Sequence, residues 1–597
     1  MAGKPSDVSP KDGEGVTELA TPEQSTPVRT GSRRLLAIVV VVVVILLIGG
    51  AAAYILLNAP APAKVLVIGT TDDEISFDPA DAYDYFSGNI IQNTMAMLVT
   101  YVPGTTNLTP DLLSVVPTLA NGGISTDGLT YTLHLRTNLK FEDGTPINSS
   151  TLKYSWDRAV KLNGLPAFLL DYISGAHEYF GALKGGVATV IASAYANYTA
   201  QGVKIVDATT VTVTLRQKWS PFVSLLAFTV TTVVNPKSFT NDRFYPNVVV
   251  SSGPYRLSTY LPHQRYELTA NPNYYGTPPK MSRVTIVRYT TSSDLKLAMT
   301  TGVIDVAYRS LLPPDFTTFQ SAASVKTLQG ASPVIRYLVF NMCSSADAAA
   351  GACPRATVFS DVNGALLRKA LAYASNRTDI ATSAYSNTVS PLYSLIPEGM
   401  FGHEDVFKTV YGASPNIAAA QSLLTQAGYS TTSKLSLTLW YTPSHYGDPE
   451  IYVAQALKRA WEATGMMTVT INEQEWAQYK ASRTAGDFDV FLLGWFPDYF
   501  DSDDYVFPFL HWASGGSAQF GDWYHNNSMD AKIEAQAAES DPTARAQILG
   551  EIQAGLAADV PYVPLWQTNQ QVVFKPTVSG IVLDPVQFFR YFTISVS

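Results

Sequence analysis

Leu435, Leu437, Leu439 and Tyr441 alternate with polar or exposed-type residues, the period-2 pattern of a half-buried strand. A helical repeat follows, carried by Ala454, Leu457 and Trp461, with Asp448 as its cap, Pro449 at its start and Gly465 at its stop. Met467, Val469 and Ile471 then alternate again. A strand, a helix and a strand in that order pack as parallel strands joined by a right-handed crossover, because a twisted strand returns to its sheet only that way. This unit commits the later half of the chain to an α/β architecture. Ser414-Pro415 opens another helix that ends at Gly428. Asp489-Val490-Phe491-Leu492-Leu493 reads as a buried strand.

That last strand runs into Gly494-Trp495-Phe496-Pro497-Asp498-Tyr499-Phe500-Asp501-Ser502-Asp503-Asp504, which sets four carboxylates among aromatic rings and a proline. Charge beside aromatic surface at the end of a buried strand is where α/β proteins hold ligands. A solvated acidic loop with one core tryptophan is the alternative.

The earlier chain carries similar signals. Lys64 to Gly69 is a buried strand, and Asn89 to Val99 reads as a helix. Asp127-Gly128 is a turn before the alternating Tyr131 to Arg136, and Asp143-Gly144 closes another turn. Ser149-Ser150 caps a helix carrying Leu152, Trp156 and Val160. Val203 to Asp207 and Val211 to Leu215 form a second alternating pair. At 597 residues the chain is too long for one compact core, so two or three lobes are expected.

Leu35 to Leu57 contains no charge and is long enough to cross a bilayer as a helix. Arg29, Arg33 and Arg34 precede it, while Asp72, Asp73 and Glu74 follow soon after its exit, so the bulk of the chain is expected outside the cytoplasm. Residues 1–34, polar and poor in large apolar side chains, form the expected disordered cytoplasmic leader. Cleavage after the small residues near Ala61-Pro62-Ala63 is the competing reading, and Arg33-Arg34 weakly resembles a twin-arginine signal. Ala59 to Ala63 would be a stiff spacer.

Only Cys343 and Cys353 are present, both in the exported part, and an oxidising compartment makes a disulfide across the small-residue loop Ser344 to Ala352 the expected reading. Two thiols without a nearby histidine do not make a metal site, and neither metal nor cofactor is expected. His177-Glu178 and His403-Glu404 lack the second histidine of a zinc-protease helix. No Gly-x-Ser-x-Gly elbow and no phosphate-binding glycine loop occurs, so no catalytic residues are assigned. The net charge of −9 argues against nucleic acid. Charged residues are 15% of the chain and aromatics 11%, with 33 tyrosines, a surface suited to an extracytoplasmic protein.

Taken in order, several segments resemble the extracytoplasmic solute-binding proteins of ABC importers, in the oligopeptide/dipeptide/nickel class (family 5). They are Ile75 to Ala80, Asp127 to Arg136 with Phe141 to Pro146, Ser252 to Leu257, Asn271 to Gly276, Thr301 to Ala307, Leu367 to Arg377, and Gly494-Trp495 with Asp498-Tyr499. The resemblance runs from about Gly69 to Trp566 and includes none of the first 60 or so residues.

It implies an α/β fold of the two-lobed periplasmic-binding-protein-like type II with an inserted subdomain, here preceded by one N-terminal transmembrane helix (35–57). Lobe I would combine 64–105, 241–331 and 567–597, with 106–240 inserted, and lobe II would be 332–566. Hinge strands would pass near Arg336-Tyr337-Leu338 and Gln570-Gln571-Val572, and the cleft would close by a hinge motion. The implied function is capture of a peptide, or a similar small solute, by a monomeric, membrane-tethered receptor that serves ABC permease and ATPase subunits. The implied site is Asp498 for a peptide ammonium, framed by Trp495 and Tyr499, with Gly494 and Phe86 also lining it. Main chain of the strand before Asp498 would pair with the peptide backbone. Members of the family also take nickel chelates, haem or sugar oligomers, and Trp495, Phe86 and Trp566 would suit sugars equally. A sensory or adhesion ectodomain and a secreted hydrolase are the readings from other classes. The family's usual anchor in monoderms is a lipidated cysteine, a feature missing near this apolar run.

Overall fold

The computed structural model describes residues 64–309, 311–443, 445–512 and 520–597. The expected leader and membrane helix fall outside the described residues; among these, no helix is long and apolar enough to cross a membrane.

Lys64–Ser597 forms one compact unit around an 11-stranded mixed sheet. Ten of its strands are β1 (Val65–Thr70), β2 (Tyr255–Leu261), β3 (Arg265–Ala270), β4 (Arg283–Arg288), β5 (Val306–Tyr308), β6 (Lys326–Phe340), β7 (Leu435–Tyr441), β8 (Met467–Glu473), β9 (Val490–Trp495) and β10 (Tyr562–Phe574). Their order is β8-β7-β9-β6-β10-β5-β1-β4-β3-β2, and the short strand Val389–Pro391 pairs with β10. As the strand–helix–strand order predicts, β7 and β8 are parallel, with Leu435 opposite Met467 and Leu439 opposite Ile471.

The antiparallel strands β6 and β10 run through the middle of the sheet. Lys326 to Ala331 pairs with Phe574 to Asn569, the register then breaks, and pairing resumes at Ile335 opposite Gln567. Beyond the break β6 pairs with β9, whereas β10 before it pairs with β5. One apolar core gathers buried side chains from Ile335 to Trp566, and another gathers Leu66, Tyr266, Val306, Val572 and Tyr591. A third is built mainly from residues 80–233 around the three-stranded sheet of Thr130–His134, Thr210–Thr214 and Val203–Ile205.

Several helix starts differ from the sequence expectation because a nearby carboxylate or amide caps better. The expected helix Asn89 to Val99 is α1, Tyr85–Thr94, whose first turn is capped by Asp84 accepting from the Ser87 amide at 2.9 Å. It stops where Gly253 docks on Thr94, its amide donating to the Thr94 carbonyl at 2.8 Å. A Cβ on Gly253 would lie 2.8 Å from the Thr94 carbonyl carbon, which is why Ser252-Gly253-Pro254 needs its glycine. Helix α2 (Ser149–Leu162) is capped by Asn148 in a reciprocal box with Thr151, rather than by the serines. Asn416, not Ser414, caps the helix Ile417–Gln426. Helix α3 (Glu450–Glu462) has Pro449 at its cap position and no side-chain cap from Asp448.

Asp78 of Ile75 to Ala80 is fully buried and bridges to Arg158 on α2, with Nη1 and Nη2 at 2.8 and 2.6 Å from its two oxygens. The Tyr245 and Ala80 amides also donate to it at 2.8 and 3.0 Å. A buried ion pair this well supplied with donors survives desolvation and pins the opening segment to α2. Cys343 and Cys353 are bonded, with Cα atoms 5.9 Å apart. The loop between them is more ordered than its composition suggests, because Ser344 caps a short helix, Ser345–Ala349.

Candidate functional site

Strand β9 is buried as far as Leu493 and emerges at Gly494 and Trp495 into a cavity of about 1080 Å³, at the upper end of what small-molecule clefts occupy. The chain from Gly494 to Phe500 lines one wall. The turn Ala82 to Tyr85 and the start of α1 line the facing wall, and Thr568 to Gln571 of β10 line the floor near the register break.

The four carboxylates of this segment meet different fates. Asp501 is paired with the Arg545 guanidinium, Nη1 lying 3.0 Å from Oδ2. Asp503 accepts from Trp219 Nε1 at 3.0 Å, from the Tyr499 hydroxyl at 2.8 Å and from the Gln536 amide. Asp504 Oδ2 accepts from Trp495 Nε1 at 2.9 Å and from the Asp498 amide at 3.0 Å. These three build the loop. Asp498 is only 8% exposed, and its carboxylate accepts a hydrogen bond from the Tyr83 hydroxyl on the opposite wall. Burial, opposed only by that bond, pushes the Asp498 carboxyl up to about 7. The Asp504 carboxyl is also pushed well up, first by burial and then by Asp498.

Gly494, Trp495, Asp498 and Tyr499 therefore come together along one wall. Trp495 also packs edge-on against Phe509 and Phe520, at 5.4 and 5.3 Å between ring centres. Phe86 is not on the cavity: it is buried in the core, 5.1 Å edge-on from Tyr266, and its neighbour Tyr85 lines the cleft instead. Trp566 is fully buried against Tyr385, at 5.2 Å, and lies off the lining.

Sequence reasoning missed the cationic side of the cleft. Arg309 follows β5 and lies 3.9 Å from the centre of the Tyr85 ring, with Nε 3.2 Å from Asp72. Arg336 lies on β6 directly opposite Gly494. Its guanidinium covers the face of Tyr446 at 3.8 Å, and Nε is 3.6 Å from Glu450 of α3. It occupies the space a Cβ of Gly494 would fill, so the glycine of Gly494-Trp495 is there to let an arginine cross the strand. The adjacent His445 stacks on Trp476 at 3.8 Å, and burial, then Arg336 and Lys480, lowers its pKa to about 4, keeping it neutral. The signal for Arg336 was its place in the expected hinge strand; Arg309 and Tyr83 carried none.

Among the described residues, Asp73, Glu74 and His263 bring possible ligand atoms within 4.8 Å of one another. Arg288 Nε already pairs with Asp73 at 3.1 Å, and Glu74 accepts from the hydroxyls of Tyr260 and Tyr266, so these groups are engaged without an ion.

The described residues thus build a two-lobed α/β fold with a deep cleft where two long central strands meet. A family profile described as bacterial extracellular solute-binding proteins, family 5 Middle, matches residues 114–517. The chain belongs to that family. It is 26% identical over 554 residues to the probable D,D-dipeptide-binding periplasmic protein DdpA of Escherichia coli (strain K12), covering 90% of this chain and 95% of that one. It is 26% identical over 473 residues to the periplasmic oligopeptide-binding protein OppA of Salmonella typhimurium, covering 78% and 81%. The solved structure of the ABC transporter-associated periplasmic binding protein DppA from Helicobacter pylori, in complex with the peptide STSA, superposes with a TM-score of 0.67 at 21% identity, covering 89% and 98%.

Proposed function

We propose that this protein captures peptides bearing a free amino terminus in the cleft and delivers them to the permease and ATPase subunits of an ABC importer. The observation that carries the reading is Asp498, a buried carboxylate on the cavity wall with, among the described residues, no ion-pair partner and the Tyr83 hydroxyl as its side-chain partner. A ligand ammonium supplies the missing charge, while Trp495 and Tyr499 frame that end. The names of the relatives, dipeptide- and oligopeptide-binding proteins, support the same ligand class. Binding rather than catalysis is the role.

The proposed lobes are 64–105 with 241–331 and 567–597, and 332–566, with 106–240 as the inserted subdomain. The hinge falls in β6 and β10, and the break at Ser332 to Val334 supports it. We place the monomeric receptor outside the cytoplasm, tethered by residues 35–57 as an uncleaved helix, for which the charge-free run and the arginines before it are the support.

Titration calorimetry with Asp498→Asn tests the site. The substitution is expected to weaken a free-amine peptide by about 2–5 kcal/mol, because it removes one partner of a desolvated charge pair. An N-acetylated peptide should bind wild type poorly and be little changed by the substitution. Equal affinity of both proteins for the free-amine peptide would remove Asp498 from the site and favour a neutral ligand.

A further inference from the structure

The cleft holds two guanidinium groups that each face an acid yet keep a donor unmade. Arg309 Nη1 is buried without a hydrogen-bond partner, although its Nε faces Asp72. Arg336 is 9% exposed, and its Nε likewise makes no hydrogen bond, Glu450 standing beyond reach at 3.6 Å. Both arginines line the cavity, and each is stacked on a tyrosine that also lines it. A buried guanidinium donor left unmade costs as much as a lost hydrogen bond to charge, so these positions favour an acceptor arriving with the ligand.

The two sit on opposite sides of the register break. The Arg309 amide donates to the Gln571 carbonyl, and Arg336 lies opposite Trp566. Five residues of strand separate those points along β10, roughly 17 Å at the usual rise. Each guanidinium lies on its own tyrosine and faces its own acid, Arg309 on Tyr85 and Asp72 and Arg336 on Tyr446 and Glu450. The arginine at 309 also holds a left-handed backbone, φ 63°, a conformation that costs energy for a side-chain-bearing residue and that clusters at ligand sites.

We propose that the cleft selects peptides carrying two carboxylates and one free amine, with one carboxylate taken by Arg309 and the other by Arg336. This rests on the reading that Asp498 receives the amine. Closure then needs the ligand on both sides: a peptide with a single carboxylate leaves the unmade donor of one guanidinium without an acceptor, and the closed form loses that contact.

The test compares tripeptides Ala-Glu-Ala and Ala-Gln-Ala, equal in shape and differing by one charge, by calorimetry on the full exported protein at pH 8. Wild type is expected to prefer the Glu peptide by about 10-fold or more, the scale of one buried charge-assisted contact. Arg309→Gln and Arg336→Gln should each reduce that preference to within about 3-fold, with Arg309→Lys restoring part of it. The wild-type comparison stands even if a variant fails to fold. Peptide binding that depends on Asp498 but is equal for Glu and Gln would overturn the selectivity and leave the amine site intact. No binding of either peptide would overturn both.

Discussion

Tyr83 and Asp498, separated by 415 residues, are joined across the cleft by a hydrogen bond in which the phenol donates to the carboxylate. The Tyr83 ring also meets Phe168 edge-on at 5.8 Å, so this tyrosine is held from a third side as well as bonded across the cavity. It holds the carboxylate that we assign to the ligand amine, and it favours the ionised form.

Tyr83→Phe removes that donor. The Asp498 carboxyl should then titrate about one unit higher, the value of a hydrogen bond to a charged group. Affinity for a free-amine peptide is expected to fall about 5-fold at pH 7 and to approach wild type at pH 9. A loss that stays the same at both pH values would mean that Tyr83 acts by packing alone.

With the Asp498 carboxyl near 7 in the empty cleft, a proton competes with the ligand amine. Binding at pH 7 should release about half a proton per peptide, and affinity should fall about tenfold per unit below pH 6. Calorimetry in buffers of different ionisation enthalpy reads the released proton directly. The same group affects the stability of the empty protein. Its folded value lies above the ordinary 3.8, so its stabilising contribution is present below about pH 4 and is lost as pH rises through about 7. Asp498→Asn should therefore raise Tm relative to wild type at pH 8, and the difference should shrink toward pH 5.

Gly494→Ala drives a methyl group into the Arg336 guanidinium. The expected result is a loss of about 1–3 kcal/mol in folding stability, from strain in a packed site. In an Arg336→Ala background, which itself loses the Glu450 partner, Gly494→Ala should cost little more, because the clash disappears with the arginine. Chemical denaturation of the two single variants and the double variant measures the coupling; additive effects would separate the two residues.

The Cys343–Cys353 bond closes a short loop of sequence separation 10 beside Trp523. Replacing both cysteines by serine should cost about 2–3 kcal/mol on loop-entropy grounds. Non-reduced, denatured protein should titrate no free thiol, and an unchanged denaturation midpoint in the double serine variant would count against a stabilising role.

Local pattern carried a good part of this protein. The alternation at Leu435 and Met467 set the buried face of each strand, and the amphipathic helix between them specified a parallel pair, because a helical crossover returns the chain in the same direction. The apolar run before Gly494 likewise placed Asp498 at a strand end, and the two cysteines had only each other to bond. Positions that depend on which face meets which neighbour were decided by the tertiary structure. Tyr85 and Phe86 are adjacent on α1, about 100° apart around its axis, and packing against Tyr266 turned Phe86 into the core and left Tyr85 on the cleft. The choice of Asp498 among four carboxylates was likewise invisible locally: Arg545, Trp219 and Trp495 neutralise or cap the other three from distant parts of the chain or from the loop itself. Arg336 became a cavity residue through its register opposite Gly494, a pairing across more than 150 residues that no local periodicity encodes. Sequence periodicity sets the faces of each element, whereas charge neutralisation and close approach depend on partners that only long-range packing brings together.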